Sequence, residues 1–365
     1  MAKKKKKSAL NVSAGVSQPS PVNEQALEKI RLSRRKNLDP DALFEGIRSG
    51  NRTALSQAIT LVESALPDHN EVAQELIRRC LPLSGESLRL GITGVPGAGK
   101  STFIESFGNY LIRSGHKIAV LAIDPSSERS GGSILGDKTR METLAGEENA
   151  FIRPSPSGGS LGGVARKTRE TIILCEAAGY DTIMVETVGV GQSETTVHSM
   201  VDFFMVLMIP GAGDELQGMK RGIMEIADAL VINKADGDLV DHAKQAQAEY
   251  TNALHLFPLP PSGWTPRVIT CSSLEGKGID EAWEMILEYR DHVMSNGFFN
   301  QRRSEQRTYW MYQTLNEGLK HRFFNNPEVR DKLHELEQMM VRDQISSFAA
   351  AAELLEKHFP RPGKP

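Results

Sequence analysis

Hydrophobic positions along the chain change their period near Leu88. Between Asp39 and Cys80, apolar residues recur at spacings of three and four, which predicts amphipathic helices. From Leu88 onward the pattern becomes a series of short apolar runs, which predict strands, separated by longer helical stretches. The predicted strands are 88–92, 118–123, 182–185, 203–209, 230–232 and 268–269, and the predicted helices between most of them include 101–113, 164–178 and 239–254.

Strands that alternate with helices in this way predict an α/β fold with a mainly parallel sheet covered by helices on both faces. The alternation stops near Tyr289, and residues 302–323, 328–341 and 345–358 then predict helices. A helical hairpin of this kind must pack back on the core or pair with another subunit. The predicted division is a disordered basic and polar tail at 1–36, an N-terminal helical extension at 37–85, an α/β domain at 86–290 and a C-terminal helical segment at 291–365.

Composition and charge narrow the class of protein. The chain has 365 residues, of which 39% are hydrophobic and 24% are charged, as in an ordinary globular protein. A net charge of -3 argues against a nucleic-acid partner, and an apolar run no longer than 203–209 is too short to span a membrane. Three widely spaced cysteines exclude a disulfide framework and favour the cytoplasm. The Lys3 to Lys7 run is interpreted as a solvated tail, with contact to an anionic surface as the alternative.

One segment matches the phosphate-binding loop pattern of glycine, four residues, then Gly-Lys-Ser. It lies after a predicted strand and before a predicted helix, where backbone N–H groups and the helix N-terminus can surround phosphate oxygens. Lys100 would neutralise the outer phosphates, and the Ser101 hydroxyl would ligate Mg²⁺. The pattern predicts a P-loop NTPase whose nucleotide site includes Gly94, Val95, Pro96, Gly97, Ala98, Gly99, Lys100, Ser101 and Thr102.

A second segment indicates which base is bound. Asn233, Lys234 and Asp236 follow the strand 230–232, so they lie at the carboxyl edge of the sheet. A carboxylate at Asp236 can accept hydrogen bonds from guanine N1–H and N2–H, which adenine does not offer. Asn233 can connect this loop to the phosphate loop, and the Lys234 side chain can cover the face of the base. The loop after the strand 268–269 is expected to offer backbone N–H groups to the guanine oxygen, and its candidate residues are Ser272, Ser273 and Leu274.

Glu186 follows the strand 182–185, where P-loop enzymes place the acidic residue that holds Mg²⁺ directly or through water. Glutamate is longer than the more common aspartate, so a metal-binding role and a general-base role both stay open. Gly189 can donate its N–H to the γ-phosphate. Gln192 either orients the attacking water or is a surface residue of a glycine-rich loop.

Two aspartates beyond the strand 118–123 are further candidates for the Mg²⁺ site. Asp124 and Asp137 can share the metal shell through water molecules. The alternatives are a turn residue for Asp124 and a cap of the helix 138–145 for Asp137. The glycine-rich stretch between them and the segment 210–220 indicate regions that change conformation with the nucleotide.

Taken together and in this order, these motifs resemble the cobalamin-linked G-protein chaperones, the family of MeaB (also called ArgK) and its human counterpart for methylmalonyl aciduria type A. The resemblance covers most of the chain from Asp39 to the C-terminal helices. The segments that carry it most specifically are 94–102, 124–127, 135–141, 185–194, 210–220 and 233–236.

The resemblance implies a SIMIBI-class GTPase that uses GTP, GDP and Mg²⁺, works as a homodimer through a C-terminal helical dimerisation arm, and binds no cobalamin itself. It implies that the partner is an adenosylcobalamin-dependent acyl-CoA mutase, usually methylmalonyl-CoA mutase. The GTPase is expected to gate the loading of the cofactor into this mutase and to protect the mutase from inactivation. It also implies a catalytic set and an additional switch. The catalytic candidates are Lys100, Asp124, Asp137, Glu186, Gln192 and Lys220, and the switch candidates are Asp214, Glu215, Gln217 and Lys220.

Two alternatives belong to other functional classes. One is an ATPase or kinase of basic amino-acid (LAO/AO) transport, which Asp236 argues against because adenine offers this carboxylate no matching donors. The other is a metal-insertion GTPase, which usually has a Cys- or His-rich loop. The cysteines here are isolated, and His242 and His255 fall on a predicted amphipathic helix, where surface positions are expected.

Overall fold

The computed structural model describes residues 39–64, 66–123, 141–154, 161–187, 193–211 and 221–359, without the side chains of residues 67, 161 and 221. Within these ranges the chain forms seven strands and thirteen α-helices.

A seven-stranded sheet forms the centre of the molecule, and every neighbouring pair of strands is parallel. The strand order is β3-β2-β4-β1-β5-β6-β7. This order puts β1 between β4 and β5, so the carboxyl ends of these three parallel strands lie side by side at one edge of the sheet. The strands are β1 Leu88–Gly94, β2 Ile118–Ile123, β3 Ala150–Arg153, β4 Thr182–Thr187, β5 Phe203–Met208, β6 Ala229–Ile232 and β7 Arg267–Thr270.

Helices precede the sheet, connect its strands and extend beyond it, as the alternating pattern predicts. The helices before and within the sheet are α1 Pro40–Arg48, α2 Arg52–Glu63, α3 Pro67–Cys80, α4 Lys100–Arg113, α5 Glu142–Ala145, α6 Leu161–Ala177, α7 Ser193–His198, α8 Arg221–Ile226 and α9 Val240–Leu254. Those after the sheet are α10 Ile279–Ser295, α11 Phe298–Phe324, α12 Pro327–Val341 and α13 Ser347–His358. Short 3-10 helices lie at Leu81–Leu83 and Gly237–Leu239. The mainly parallel α/β architecture is confirmed.

The first three helices pack against the α/β domain and share its core. The Asp39 and Asn51 side chains accept hydrogen bonds from the first-turn N–H groups of α1 and α2, which fixes where each helix begins. Ile47 and Ile59 are fully buried in the same hydrophobic core as the sheet. The helical extension is therefore part of the core and shares its stability.

One strand of the sheet lies outside the pattern-based expectations, and another contains a buried charge. The strand β3 was not predicted, because its four residues at the sheet edge are too few for a periodic signal. The strand β1 is buried at all seven positions, as expected for a sheet that helices cover on both faces. Arg89 is accommodated because its guanidinium forms two hydrogen bonds with the Glu176 carboxylate, of 2.8 and 3.0 Å. A buried ion pair thus accommodates the one charged residue of this strand.

The C-terminal helices divide between two cores. The first half of α11 packs on the α/β domain, where Gln306 and Trp310 donate to the backbone oxygens of Val201 and Ser199. The helices α12 and α13 form a small core of their own, made of Val329, Leu336, Ala350 and Leu354. Of the two options for the C-terminal helices, packing back on the core is seen for α11, mainly through its first half.

Candidate nucleotide site

The phosphate-binding loop leaves the end of β1 and enters α4 in a backbone conformation that requires glycine. Gly97 and Gly99 have φ angles of 80° and 84°, which side chains rarely adopt. A Cβ atom at Gly94 would lie 2.3 Å from the backbone oxygen of Leu207. The α4 helix begins at Lys100 without a side-chain cap, so its first N–H groups stay available to an anion.

Lys100 lies against the loop that it belongs to. Its Nζ donates to the backbone oxygens of Gly94 at 2.9 Å and Val95 at 3.4 Å. Burial lowers the pKa of the Lys100 ammonium, and the charges of Glu186 and Glu194 act in the opposite direction. The ammonium is thus held over the cradle that phosphate oxygens would enter.

Glu186 and Ser101 meet beside this cradle. The strand β4 extends two residues beyond its predicted end at 185, so Glu186 lies within it. Glu186 is in register with Ile92 of β1 and Ala122 of β2. The Ser101 hydroxyl donates to Glu186 Oε1 at 3.4 Å. Two oxygen ligands of the kind that Mg²⁺ prefers therefore lie together at the end of the strand next to β1.

Asn233 joins three segments of the site. Its Nδ2 donates to the Ala98 backbone oxygen at 2.8 Å, and its Oδ1 accepts from the Ser273 N–H at 3.1 Å and the Ser273 hydroxyl at 2.7 Å. The side chain is 1% exposed, so these hydrogen bonds are shielded from water. The connection from Asn233 to the phosphate loop that the sequence indicates is present.

Lys234 and Asp236 follow Asn233 at the carboxyl edge of the sheet and are less buried than it. Lys234 has a φ of 61°, a left-handed conformation that is uncommon outside glycine. Its side chain is exposed, and its Cε would contact a Cβ atom added at Gly99 at 4.0 Å. The Ser272 hydroxyl donates to Asp236 Oδ2 at 2.5 Å, which orients the carboxylate.

The last candidate base-contacting loop uses two of its backbone N–H groups within the protein. The backbone N–H of Ser272 donates to the Lys277 oxygen at 2.9 Å, and that of Ser273 donates to Asn233. Both N–H groups are thus occupied in this structure, and a role for Ser272, Ser273 and Leu274 in binding guanine stays a prediction. Leu274 is 82% exposed beside them, and the serine hydroxyls hold Asn233 and Asp236 in place. The spacing of the motif does not reveal these contacts, because they depend on how the loops after β6 and β7 pack together.

Several predicted site residues lie outside the described residues, so the structure does not place them. They are Asp124, Asp137, Gly189, Gln192, Asp214, Glu215, Gln217 and Lys220. The expected tail at 1–36 also lies outside the described residues.

The structure adds one acidic residue to the predicted set. Glu194 is 1% exposed in α7, and its charge raises the pKa of Lys100. Its place directly after the glycine-rich loop that follows β4 is the signal that could have identified it. The hydroxyls of Thr187 and Thr93 also form a 2.7 Å hydrogen bond between β4 and β1, which ties the two strands together below the site.

Comparison with known proteins decides the family. The model of the family described as methylmalonyl-CoA mutase-associated GTPase MeaB matches residues 55–328. This chain belongs to the MeaB family. The MeaB-family chain is 53% identical to the GTPase ArgK of Escherichia coli (strain K12), over 76% of this chain and 85% of that protein. It is 46% identical to a mouse (Mus musculus) protein named methylmalonic aciduria type A homolog, mitochondrial, over 90% of this chain and 81% of that protein.

A solved structure supports the same conclusion for the fold. The crystal structure of an LAO/AO transport system kinase has 39% sequence identity and a TM-score of 0.69, and the match covers 93% of this chain and 99% of that chain. The words "transport" and "kinase" come from the name of that protein and are not assigned to this chain. The MeaB-family chain is a GTPase, and it binds guanine nucleotides.

The described part of the chain also contains three cysteine thiols. Cys80, Cys175 and Cys271 are all buried, and burial raises the pKa of the Cys80 thiol to about 11 and that of Cys271 to about 12. Among the described residues, no three or more His, Cys, Asp or Glu side chains are grouped to hold a metal ion. His242 and His255 are exposed, as predicted. No helix within the described ranges is long and apolar enough to cross a membrane.

Proposed function

We propose that this MeaB-family GTPase binds an adenosylcobalamin-dependent acyl-CoA mutase, with methylmalonyl-CoA mutase as the first candidate. The GTPase gates loading of the cofactor and protects the mutase from inactivation, while the cobalamin itself binds to the mutase. The observation that carries the proposal is the match of residues 55–328 to a family described as mutase-associated. A cytoplasmic location without nucleic-acid or membrane partners is part of the same proposal.

In this proposal, different residues of the site bind the phosphates and the base of GTP. The phosphate loop and the open N-terminus of α4 receive the phosphate oxygens, and the Lys100 ammonium moves from the carbonyls of Gly94 and Val95 onto the γ-phosphate. Asp236 reads the guanine N–H groups, and Lys234 covers the face of the base. Positioning carries most of the rate enhancement in such a site, since phosphoryl transfer needs little covalent chemistry from the protein.

The residues beside the phosphate loop fit Mg²⁺. The Ser101 hydroxyl and the Glu186 carboxylate lie within 3.4 Å of each other and are hard oxygen ligands, and Asp124 and Asp137 are proposed to contribute through water. Bound Mg²⁺ would offset the negative charge on the β- and γ-phosphate oxygens. Glu186 either holds the ion or accepts a proton from the attacking water, with Gln192 orienting that water and Gly189 donating to the γ-phosphate.

The partner is proposed to sense the nucleotide through the segment after β5. Asp214, Glu215, Gln217 and Lys220 form this switch, and Lys220 also contributes to the catalytic site. A partner that holds the switch in its productive arrangement would raise a slow intrinsic rate of hydrolysis, because the catalytic groups would then be placed without further ordering.

The proposed homodimer is supported by an apolar surface on α11. Met311, Tyr312, Leu315 and Leu319 are each more than half exposed and recur at spacings of three and four along the second half of this helix. A contiguous apolar stripe on a surface helix usually marks a protein interface. A second copy of the chain would cover this stripe by packing its own α11 against it.

Steady-state hydrolysis of GTP during titration with purified methylmalonyl-CoA mutase tests the partnership. We expect the rate to rise and then saturate at a stoichiometric ratio, whereas ATP hydrolysis stays at background. The matched control is Lys100→Ala, in which the mutase should still bind but no longer stimulate hydrolysis. A flat titration against every adenosylcobalamin-dependent acyl-CoA mutase would remove the support for the chaperone function.

The homodimer needs a separate measurement. The mass of the full chain in solution with GTP should correspond to two copies, and Leu315→Asp together with Leu319→Asp should shift it to one. The double variant Leu256→Asp with Leu259→Asp is the matched control, because these two leucines are also more than half exposed but lie outside α11. A dimer that survives the α11 substitutions would place the interface elsewhere.

A further inference from the structure

A cavity of about 450 Å³ lies where β1 begins, at the end of the strand opposite to the phosphate loop. Its walls are the segment leading into β1, the helix α6 and the first half of α11. Cavities of this volume are in the range that binds small molecules. Four arginines line it, namely Arg89, Arg169, Arg303 and Arg307, and apolar residues complete the wall, including Leu81, Ile172 and Ile173.

Two of the four arginines are already paired inside the protein. Arg89 forms the two hydrogen bonds with Glu176, and Arg303 donates to both oxygens of Asp202, at 2.8 and 2.6 Å. Arg303 also donates to the backbone oxygens of Gly85 and Ser87. These pairs leave Arg169 and Arg307 without an ion pair among the described residues, and the carboxylate that opposes the charge of Arg169 is Glu176, which Arg89 already holds.

Arg169 is the residue that makes the cavity a candidate site. It forms no ion pair with any described residue, and its Nη1 atom is buried without a hydrogen-bond partner there. Burial, together with the charges of Arg89 and Arg307, lowers the pKa of Arg169 to about 10. A buried, unpaired guanidinium is costly unless an anion or an acceptor compensates it. The guanidinium is instead stacked over the Trp310 ring, 5.7 Å from its centroid.

We propose that this cavity binds a small organic anion whose carboxylate or phosphate group is joined to an apolar body. Arg169 and Arg307 hold the anionic group, since guanidinium matches both oxyanions in a two-pronged geometry. Leu81 and the isoleucines of α6 contact the apolar body. The residues are all remote from the phosphate loop, so the site is distinct from the nucleotide site.

The location of the cavity predicts what binding does to the protein. Arg169 belongs to α6 of the α/β domain, whereas Arg303 and Arg307 belong to α11. A bound anion would connect the two and reduce the repulsion between their charges. The ligand should therefore stabilise the packing of α11 on the domain and raise the midpoint of thermal unfolding.

Binding can be measured with the full chain saturated with GDP, so that the phosphate loop is occupied. The probes are phenyl phosphate and benzoate, which distinguish the two anionic groups, and benzamide, which has the same ring without a charge. We expect at least one anion to bind by calorimetry and to raise the unfolding midpoint, at matched ionic strength, while benzamide does neither. Removing a charged hydrogen-bonding partner should weaken the affinity by about tenfold or more.

Arg169→Met and Arg307→Met should each cause this loss of affinity, and Arg342→Met is the matched control because Arg342 is exposed at the end of α12, away from the cavity. Basal hydrolysis of GTP should be unchanged in all three variants, which confirms that they fold. Arg307 is exposed, so its variant keeps the test valid if Arg169→Met is unstable. Unchanged anion affinity in both variants, or no binding of either anion to the wild type, would overturn the proposal. An acidic peptide that binds in place of both small anions would overturn it as well.

Discussion

The Asn233 side chain donates from Nδ2 to the backbone oxygen of Ala98 at 2.8 Å, although the two residues are 135 positions apart. The same side chain accepts two hydrogen bonds from Ser273. One buried amide therefore holds the phosphate loop, the base-reading loop and the loop after β7 in a fixed relative position. The nucleotide site depends on this junction because each of the three segments contributes a different part of it.

Asn233→Ala should disrupt this junction. The substitution leaves the Ala98 oxygen and the Ser273 N–H buried without their partner, which should lower the free energy of unfolding by about 2 to 3 kcal/mol. It should also raise the KM for GTP, since the loops lose their alignment. Denaturant unfolding and steady-state kinetics measure the two effects. Asn252→Ala, at an exposed position in α9, should change neither, and equal behaviour of the two variants would contradict the role of the junction.

Lys100→Ala should abolish hydrolysis of GTP. The ammonium is the cation held over the phosphate loop, so its loss should reduce kcat by about a hundredfold or more. Lys244→Ala removes an exposed lysine from α9 and is the matched control. Unchanged turnover in Lys100→Ala would show that the loop is not the phosphate site.

Asp236→Asn should change the base that the enzyme prefers. An amide at this position can donate to the xanthine oxygen but cannot accept two hydrogen bonds from guanine, so we expect the ratio of kcat/KM for GTP to that for xanthosine triphosphate to fall by about a hundredfold. Asp238→Asn, two residues further along, is exposed and should leave the ratio unchanged. Tight GTP binding by Asp236→Asn would argue against the base-reading role.

Asp228 should make the stability of the fold depend on pH. Burial raises the pKa of its carboxyl from 3.8 to about 6, against the opposing charge of Arg302 and the hydrogen bond from the Phe204 N–H. The folded state therefore binds the proton more tightly than the unfolded state, and the stability that this provides is lost as the pH rises from about 4 to above 6.

Comparison with Asp228→Asn isolates this effect, because the amide does not titrate. Between pH 4 and pH 7, the wild type should lose up to about 3 kcal/mol of unfolding free energy relative to the variant. Asp238→Asn should follow the wild type across the same range. Parallel pH profiles for the wild type and Asp228→Asn would show that this carboxyl is ionised throughout.

The local features of the nucleotide site could be predicted from the sequence because they depend on short spacings. A strand, a glycine loop and a helix occupy consecutive positions from Leu88 to Arg113, so the motif that begins at Gly94 indicates both the fold and the chemistry. The Asn233 to Asp236 motif is equally local. The strand β3 was missed because four residues at a sheet edge carry no period.

Contacts between distant segments required the tertiary structure. The sequence determined that the chain is an α/β GTPase of this family, because the hydrophobic period and the motif spacings are properties of neighbouring residues. Only the structure decided that the Ser272 and Ser273 N–H groups are used within the protein, that Arg89 is buried on Glu176, and that Arg169 lines a cavity with arginines from α11. Those relationships arise from strand register and helix packing, which bring together residues that no local pattern connects.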